Sequence, residues 1–441
     1  MKLKSLLLFP AVALGLQVSA QTWVVDSVQM GPNYGNDVYY SLKNDSVGAA
    51  VNTNWHLGFE MVPGGPGFGG VSIIANHVQG AVKAYSLHKT ASSFNSLTFP
   101  ADTLTRTALN NSDSSWDWGA LNVNASGNVF DYGWGQYNST THYVEGDSLY
   151  MLSVGNGPST KYYKMTISHY HSFPLTDIYY AFRIAELDGS NEILDTVRRT
   201  GYENKNFAYY NITTNSVLNR EPDRKTWDVL FTRYTEYIAM GPGPKVAYPV
   251  AGVLSNIGVM VAEARKMDAD TVKYPWRTFN KNMSEIGSDW KVFNNTTFQY
   301  EYDTVSYFVK TIVDTAVYQI KFSKFESGSG PAGTGKFVFA KRMVSFPASV
   351  GNLSKHIARH SIVPNPASSE TSLVLESNEA VATARFMVTD ITGKVIVNTT
   401  TSLQKGLNAL NINTGNYVPG TYFVTVSNGA WTVAEKLVVQ H

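Results

Sequence analysis

The chain has 441 residues, a formal net charge of +1 at pH 7 and no cysteine. A charge this close to zero provides no field that would attract nucleic acid, and a chain without cysteine has no disulfides, thiolate chemistry or cysteine-ligated metals. Aromatic residues make up 13% of the chain and charged residues only 16%, a mix typical of aromatic-rich antiparallel sheets. The composition therefore predicts an all-β protein, and the length suggests about three domains.

Residues 1–20 have the pattern of a secretory signal peptide. Lys2 and Lys4 supply positive charge, an apolar run follows from Ser5 to Leu16, and residues 18–20 form a small-residue cleavage site. The apolar run is too short to span a bilayer. We therefore expect export of a mature chain that begins at Gln21.

The chain then enters a segment of predicted short strands. VYYSLKNDSV covers residues 38–47, NWHLGFEMV covers 54–62, and the Gly/Pro-rich turn PGGPGFGG follows at 63–70. Aromatic and β-branched runs broken by such turns are typical of antiparallel domains. Further along, the block WGQYNSTTH runs from Trp134 to His142.

That block occurs a second time, as WKVFNNTTF from Trp290 to Phe298. SLYMLSV, which starts at Ser148, likewise matches TVSYFVK, which starts at Thr304. YKMTISHY from residue 163 matches YQIKFSKF from residue 318, so the offsets are 156, 156 and 155 residues (290 − 134, 304 − 148, 318 − 163). Self-similarity at a fixed period predicts two tandem copies of one β-rich module.

The second copy also opens as the first does. FAYYNITTNSV at 207–217 is followed by TWDVLFTRYTEYI at 226–238, again an aromatic strand and then a strand led by Trp. VLSN at 253–256 matches IIAN at 73–76. Only VAEARKM, residues 261–267, has apolar residues at the spacing expected of a helix.

These patterns divide the chain into five parts. The polar, turn-rich stretch near 188–205 separates the modules, and the aromatic pattern ends near residue 345. About seven short alternating strands with regularly spaced turns follow, which predicts a small immunoglobulin-like β-sandwich. The predicted parts are a signal peptide at 1–20, a first module at 21–195, a second module at 196–345, a linker at 346–361 and a final domain at 362–441.

The final domain resembles the type A sorting domain of the type IX secretion system. The resemblance rests on VPNPA (363–367), TDITGKVI (389–396), KGLNALNI (405–412), PGTYFVTV (419–426) and EKLVVQ (435–440). Tyr417 stands where this family usually has Leu. The resemblance implies recognition by the secretion machinery, export across the outer membrane, and release of the mature protein or its attachment to the cell surface. The alternative is a generic immunoglobulin-like adhesion module.

The repeated module resembles the HmuY-like family of exported haem-binding proteins. In the second copy the resemblance rests on TWDVLFTRY, YPVAGVLSN, SEIGSDWKVFNNTTF and YQIKFSKF, and in the first on VYYSL, WGQYNSTTHYV and YYKMTISHY. It implies an all-β scaffold that binds haem or a related small ligand, with His or Met as axial ligands.

Candidate haem ligands follow from that resemblance. His142 closes the first copy of the Trp block, and Met283 precedes the second copy, in which Phe298 replaces the histidine. A histidine that simply packs or hydrogen-bonds at a strand entry is the alternative. The block aromatics Trp134, Tyr137, Trp290 and Phe293 are either core residues or a surface for ligand stacking, and large aromatic side chains at matching positions usually belong to cores.

No enzyme motif is present: HExxH, GxSxG and a P-loop are all missing from the sequence. His169 and His171 would share one face of a strand, but two ligands do not make a metal site. We therefore expect a non-enzymatic cell-surface or secreted binding protein. A structural or adhesive protein whose duplicated scaffold has lost its ligand is the alternative, and a carbohydrate-active enzyme is a more distant one.

Overall fold

The computed structural model describes residues 22–62, 70–97, 106–172, 174, 176–274, 277–313, 316–345, 356–391, 394–428 and 431–440. The predicted signal peptide and most of the predicted linker lie outside these ranges. The described residues form antiparallel strands joined by turns and by four 3₁₀ helices, so the prediction of an all-β chain is confirmed. The 3₁₀ helices are Pro32–Tyr34, Ala91–Ser93, Ala120–Asn122 and Gly157–Ser159.

Fourteen described strands precede residue 219. They are β1 (Val24–Gln29), β2 (Asn36–Ser41), β3 (Asp45–Val51), β4 (Leu57–Glu60), β5 (Ile73–Ala75), β6 (Val82–Ser86), β7 (Gly135–Asn138), β8 (Tyr143–Gly146), β9 (Leu149–Val154), β10 (Lys161–His171), β11 (Tyr179–Glu186), β12 (Ile193–Arg198), β13 (Phe207–Asn211) and β14 (Ser216–Leu218).

Eight more described strands complete the repeated region. They are β15 (Val229–Ile238), β16 (Val246–Ser255), β17 (Met260–Arg265), β18 (Lys291–Asn294), β19 (Gln299–Tyr302), β20 (Val305–Lys310), β21 (Val317–Glu326) and β22 (Lys336–Ser345). The helical periodicity at 261–267 was misleading, because β17 covers most of this segment and pairs with β20. Val261 and Ala264 have the three-residue spacing of a helical turn because both faces of β17 are buried, Val261 in one apolar cluster and Ala264 in another.

The first structural unit is residues 54–218. A seven-stranded sheet (β12-β11-β10-β8-β7, with β9 and β6) faces the four-stranded sheet β14-β13-β4-β5. The core between them includes Phe59 and Phe182, whose rings stack with centroids 5.5 Å apart. Aromatic side chains thus join the two layers.

The second structural unit combines residues 22–51 with residues 229–345. Its sheets are β1-β22-β21-β20-β17, β16-β15-β2-β3 and the hairpin β18-β19. Phe231 and Phe339 stack at 5.6 Å in its core, as Phe59 and Phe182 do in the first unit. The two units therefore share one internal plan.

The boundaries of the units differ from those of the predicted modules. The predicted division between residues 195 and 196 falls inside β12, which pairs with β11 of the first unit along its whole length. β13, from the second sequence copy, pairs with β4 of the first, and β2 of the first copy pairs with β15 of the second. Each unit thus takes its aromatic hairpin from the other copy of the repeat.

The pairing also reveals a repeat that reaches closer to the N-terminus. β1 (VVDSVQ) closes the second unit on β22 as β12 (ILDTVR) closes the first on β11. Tyr40 donates a hydrogen bond to Asp26 at 2.6 Å, and Tyr210 donates one to Asp195 at 3.5 Å. The sequence showed the interval at which equivalent strands repeat. It did not show which strands belong to which structural unit.

The last described strands form a separate two-layer sandwich. The sheets β23-β24-β27 and β26-β25-β28-β29 enclose a core that includes Leu373, Val388 and Val424. This arrangement fits the predicted β-sandwich. The strands are β23 (Ile357–Val363), β24 (Glu370–Ser377), β25 (Val381–Asp390), β26 (Val395–Leu403), β27 (Gly406–Asn413), β28 (Gly420–Ser427) and β29 (Thr432–Val439).

Candidate functional site

The block that the two copies share is a buried tryptophan followed by a hairpin turn. In the first copy the Asn138 side-chain oxygen accepts the backbone N–H of Thr140 at 2.9 Å, and its amide donates to Glu145 at 3.0 Å. Asn294 makes the same two contacts with Thr296 at 2.8 Å and Glu301 at 2.6 Å. Asparagine and threonine therefore recur in this block because they build the turn.

His142 and Phe298 occupy the same place in the two turns. Their φ angles are 59° and 54°, and each backbone N–H donates to the turn asparagine's carbonyl at 2.8 Å. The His142 side chain is exposed, and its Nδ1 lies 2.8 Å from the Tyr137 hydroxyl. Phe298 is 73% exposed. The left-handed backbone, which asparagine and glycine favour, is what these two positions have in common.

The four aromatic residues of the repeated block, Trp134, Tyr137, Trp290 and Phe293, lie in two environments. Trp134 and Trp290 are 0% and 1% exposed and belong to the cores of the first and second units. The Trp134 indole donates to the Val71 carbonyl at 3.0 Å. Tyr137 is half-buried and Phe293 is 43% exposed, both on turn hairpins. The indoles are thus packed inside the units and have no face open to a ligand.

Met283, the other candidate haem ligand, lies in a different environment from His142. It is 5% exposed and packs with Tyr234 and Leu254 beside a cleft between the units. His142 does not line that cleft. The structure therefore does not bring the two predicted ligands to one site.

His169 and His171 lie on one face of β10 in a cluster of rings. His169 stacks on Tyr143 with centroids 4.9 Å apart, and His171 meets the edge of the same ring at 4.8 Å. Among the described residues, no three His, Asp or Glu side chains come together as a metal-binding set. Ring packing accounts for the histidine pair.

A cleft of about 90 Å³ lies where the outer faces of β2 and β15 meet those of β13 and β5. Aromatic rings form much of its wall: Tyr39, Trp55, Trp116, Trp118 and Tyr209. The Trp116 indole reaches from the first unit to donate to the Ser255 carbonyl of the second at 2.8 Å. The cleft is therefore built jointly by the two units.

A buried ion pair joins the units at this cleft. Arg220 donates to Asp37 at 2.7 Å, and their side chains are only 6% and 7% exposed. Thr232 donates to the other Asp37 oxygen at 2.6 Å. The guanidinium also lies over Tyr209, 4.8 Å from the ring centroid. Burying such a pair is costly unless its remaining groups find partners, so this one stands out in a chain with few charges.

Glu221, next to Arg220 in sequence, is buried in the same region. Its carboxylate accepts the backbone N–H groups of Asn206 at 2.8 Å and Phe207 at 3.1 Å, and the Tyr209 hydroxyl at 3.2 Å. Loss of water around the carboxylate raises its pKa to about 7 in spite of these donors. A glutamate therefore titrates near neutral pH inside the structure.

Several polar groups that line the cleft lack partners. The indole Nε1 of Trp55 and the guanidinium Nε atoms of Arg220 and Arg233 have no hydrogen-bond acceptor among the described residues. The Nε2 atom of His77 is likewise without a partner there, while its Nδ1 lies 3.1 Å from the Val82 carbonyl. Buried polar groups normally find partners, so these exceptions make the cleft the candidate ligand site.

Sequence reasoning missed the cleft residues. Asp37 and Arg220 lie just outside the blocks that repeat, Arg233 lies within one of them, and Asp37 is far from both arginines in the chain. The one available signal was the rarity of charge: Arg220 and Glu221 directly follow an aromatic hairpin in a chain with only 16% charged residues.

The described fold and this cleft together define an all-β protein with a two-unit body and a separate C-terminal sandwich. Residues 361–440 match the family model described as the secretion system C-terminal sorting domain. The chain is therefore exported by the type IX secretion system and is secreted or held at the cell surface, and its C-terminal domain interacts with the type IX machinery. No curated protein matches the chain. Within the described ranges, no helix has the length and hydropathy needed to cross a membrane.

Proposed function

We propose that this protein is a non-enzymatic binding protein of the cell surface or extracellular space, with the cleft between its two units as the ligand site. The observation that carries the proposal is the buried Arg220–Asp37 pair beside donors that lack acceptors. A concave site with aromatic walls and a few convergent polar groups is the usual form of a small-molecule pocket. Export through the sorting domain delivers such a pocket to the medium.

A small ligand fits this cleft better than haem does. Pockets for drug-sized ligands enclose about 300–1,000 Å³, whereas this cleft has about 90 Å³. Met283 lines it, but the exposed turn that carries His142 does not. The HmuY-like resemblance therefore supports an exported β scaffold for ligand binding, and we do not extend it to a His142–Met283 haem site.

The proposal is tested on residues 21–441 with four probes: propionate, glucose, glycine and haemin. The nine tryptophan indole N–H signals are followed by NMR, and the Trp55 signal is assigned with a Trp55→Phe variant. We expect at least one probe to shift the Trp55 indole signal saturably. If no probe moves it while the chain stays folded, the cleft is not a ligand site for these classes.

The alternative, a structural or adhesive surface protein, is favoured by apolar side chains on two exposed hairpins of the second unit. Met240 and Tyr248 on the β15–β16 arm are 64% and 44% exposed, and Val292 and Phe298 on the β18–β19 hairpin are 62% and 73% exposed. Clustered exposed apolar residues mark interaction surfaces. Binding of the chain to whole cells that is unchanged by Trp55→Phe and lost with Met240→Ser would support this alternative.

A further inference from the structure

The groups without partners at the cleft define the chemistry of what it binds. Trp55 Nε1, Arg220 Nε and Arg233 Nε are N–H donors, and the Tyr39 and Tyr234 hydroxyls and His77 Nε2, which also lack partners there, are groups that can donate or accept. A buried donor that lacks an acceptor has lost its hydrogen bond to water, so three of them favour a ligand that brings oxygen acceptors. A ligand that only donates would leave these three N–H groups without acceptors.

The charge around the cleft favours a monoanion. Asp37 balances Arg220 at 2.7 Å. The nearest polar contact of Arg233 is with the neutral Gln79 side chain at 3.5 Å, and it forms no ion pair within the described residues. Among the charged side chains that line the cleft, which are Asp37, Arg220 and Arg233, one positive charge is therefore unbalanced. A doubly charged anion such as phosphate would leave a negative charge in excess beside Asp37.

The size and the walls limit the rest of the ligand. A cavity of about 150 Å³ holds a benzene molecule, so the 90 Å³ here accepts a group of only a few heavy atoms. Ile74, Leu230 and Leu254 add apolar surface to the aromatic wall. A carboxylate on a short aliphatic group matches this combination of donors, charge and walls.

We propose that the cleft binds a carboxylate carried on a short apolar group. Two sources present this chemistry, a free short-chain acid and the free C-terminal end of a peptide. The inference rests on the proposed function, since it names the ligand class for the same cleft. Trp55 and Arg233 donate hydrogen bonds to the carboxylate oxygens. Arg220 donates a further hydrogen bond to the carboxylate and keeps its ion pair with Asp37.

The test uses residues 21–441 and isothermal titration with propionate and with its neutral counterpart, propionamide. We expect propionate to bind and propionamide not to bind. Trialanine and trialanine amide distinguish the two sources: binding of the free peptide but not of the amide extends the site to chain ends, and binding of propionate alone restricts it to free acids. Equal binding of propionate and propionamide would overturn the inference.

Matched variants show whether the binding is at the cleft. Trp55→Phe keeps the ring and removes the N–H, and Arg233→Gln removes the unbalanced charge. Each is expected to weaken propionate binding about tenfold or more, because hydrogen bonds to charged groups are strong. Trp227→Phe is the control for the first, since Trp227 also has a buried indole N–H without a partner but does not line the cleft. Arg385→Gln in the C-terminal sandwich is the control for the second.

The outcomes separate this inference from the proposed function. If glucose shifts the Trp55 indole signal and no acid binds, the cleft is a ligand site and the carboxylate assignment is wrong. If no probe binds to the folded protein, the cleft holds only water, and both the proposed function and the carboxylate assignment are wrong. If Trp55→Phe does not fold, Arg233→Gln alone decides, because that half-buried side chain lies outside the packed cores.

Discussion

Tyr39 and Trp227, which are 188 residues apart in the chain (227 − 39), pack edge to face with ring centroids 5.0 Å apart. Trp55 and Tyr209 make the same contact at 4.8 Å. In each pair the tyrosine comes from one sequence copy and the tryptophan from the other. The reciprocal pairs hold each exchanged hairpin against the Trp-led strand of the other copy, so neither copy completes its fold alone.

The exchange predicts which fragments fold. Residues 21–190, close to one sequence copy, lack Ala208, Tyr210 and Ile212, which complete the core of the first unit. Each large buried side chain contributes about 1.5–3 kcal/mol to stability. Losing several of them removes much of the typical free energy of unfolding of about 5–15 kcal/mol. We expect residues 54–218 to unfold cooperatively in urea, and residues 21–190 to show no cooperative transition. A cooperative transition for 21–190 alone would contradict the exchanged arrangement.

The turn geometry predicts a stabilising substitution. Phe298 has φ = 54° and is 73% exposed, so its side chain contributes little packing while its backbone is strained. A left-handed conformation costs a residue with a Cβ about 1–2 kcal/mol, and the entropy cost of glycine returns part of that gain. Phe298→Gly should raise the free energy of unfolding by about 0.5–1 kcal/mol, as measured by urea denaturation.

Phe293→Gly is the control for that substitution. Phe293 lies in β18, and its ring packs against Tyr300 with centroids 5.1 Å apart. Glycine at this position therefore loses packing and relieves no backbone strain. The control should destabilise the chain. If both glycine variants lose stability equally, the backbone of the turn carries no strain.

Glu221 predicts a pH dependence of stability. Burial raises its pKa from 4.5 to about 7 in the folded chain, so the folded state binds the proton more tightly than the unfolded state. Its contribution favours folding fully below pH 4.5 and is lost as the pH rises through 7. Glu221→Gln should remove this slope, so that the variant gains stability relative to the wild type between pH 4.5 and 7.

Urea denaturation at several pH values measures the Glu221 effect. Glu370→Gln, at an exposed position on β24, is the control and should leave the slope unchanged. Parallel curves for wild type and Glu221→Gln across the window would show that Glu221 keeps an ordinary pKa.

The haem hypothesis yields a fourth prediction. Because His142 lies in an exposed turn and Met283 beside the small cleft, we expect haemin to give a broad, unsaturating optical response that is the same in wild type and His142→Ala. Titration of residues 21–350 with haemin measures it. A sharp, saturable Soret shift that disappears in His142→Ala would instead establish His142 as an axial ligand.

The sequence predicted those features that local patterns encode. The all-β class and the C-terminal sorting domain were readable, because alternation, turns and a dense set of motifs lie close together in the chain. The matching of Asn76 with Asn256 was also readable, and both side chains donate to the carbonyl of the tryptophan that leads the neighbouring strand, Trp55 at 3.0 Å and Trp227 at 2.8 Å.

The exchange and the cleft were not readable, for a physical reason. A repeat fixes the spacing of equivalent strands but not whether a hairpin pairs within its own copy or with the other, since both choices place the same residues side by side. Tyr40 meets Val229 in the observed register, and nothing local to either strand selects that partner. Arg220 and Asp37 meet only because of that choice.

The strand nearest the predicted signal peptide, β1, and the strand nearest the predicted linker, β22, are direct neighbours, with Val24 opposite Lys341 and Gln29 opposite Lys336. β1 therefore has no strand partner until β22, at the other end of the repeated region, has been synthesised. A chain that stops before residue 336 leaves β1 unpaired and adds an open edge at β21, and open strand edges favour aggregation. In a chain that reaches β22, this strand pairs with β1 on one side and with β21 on the other.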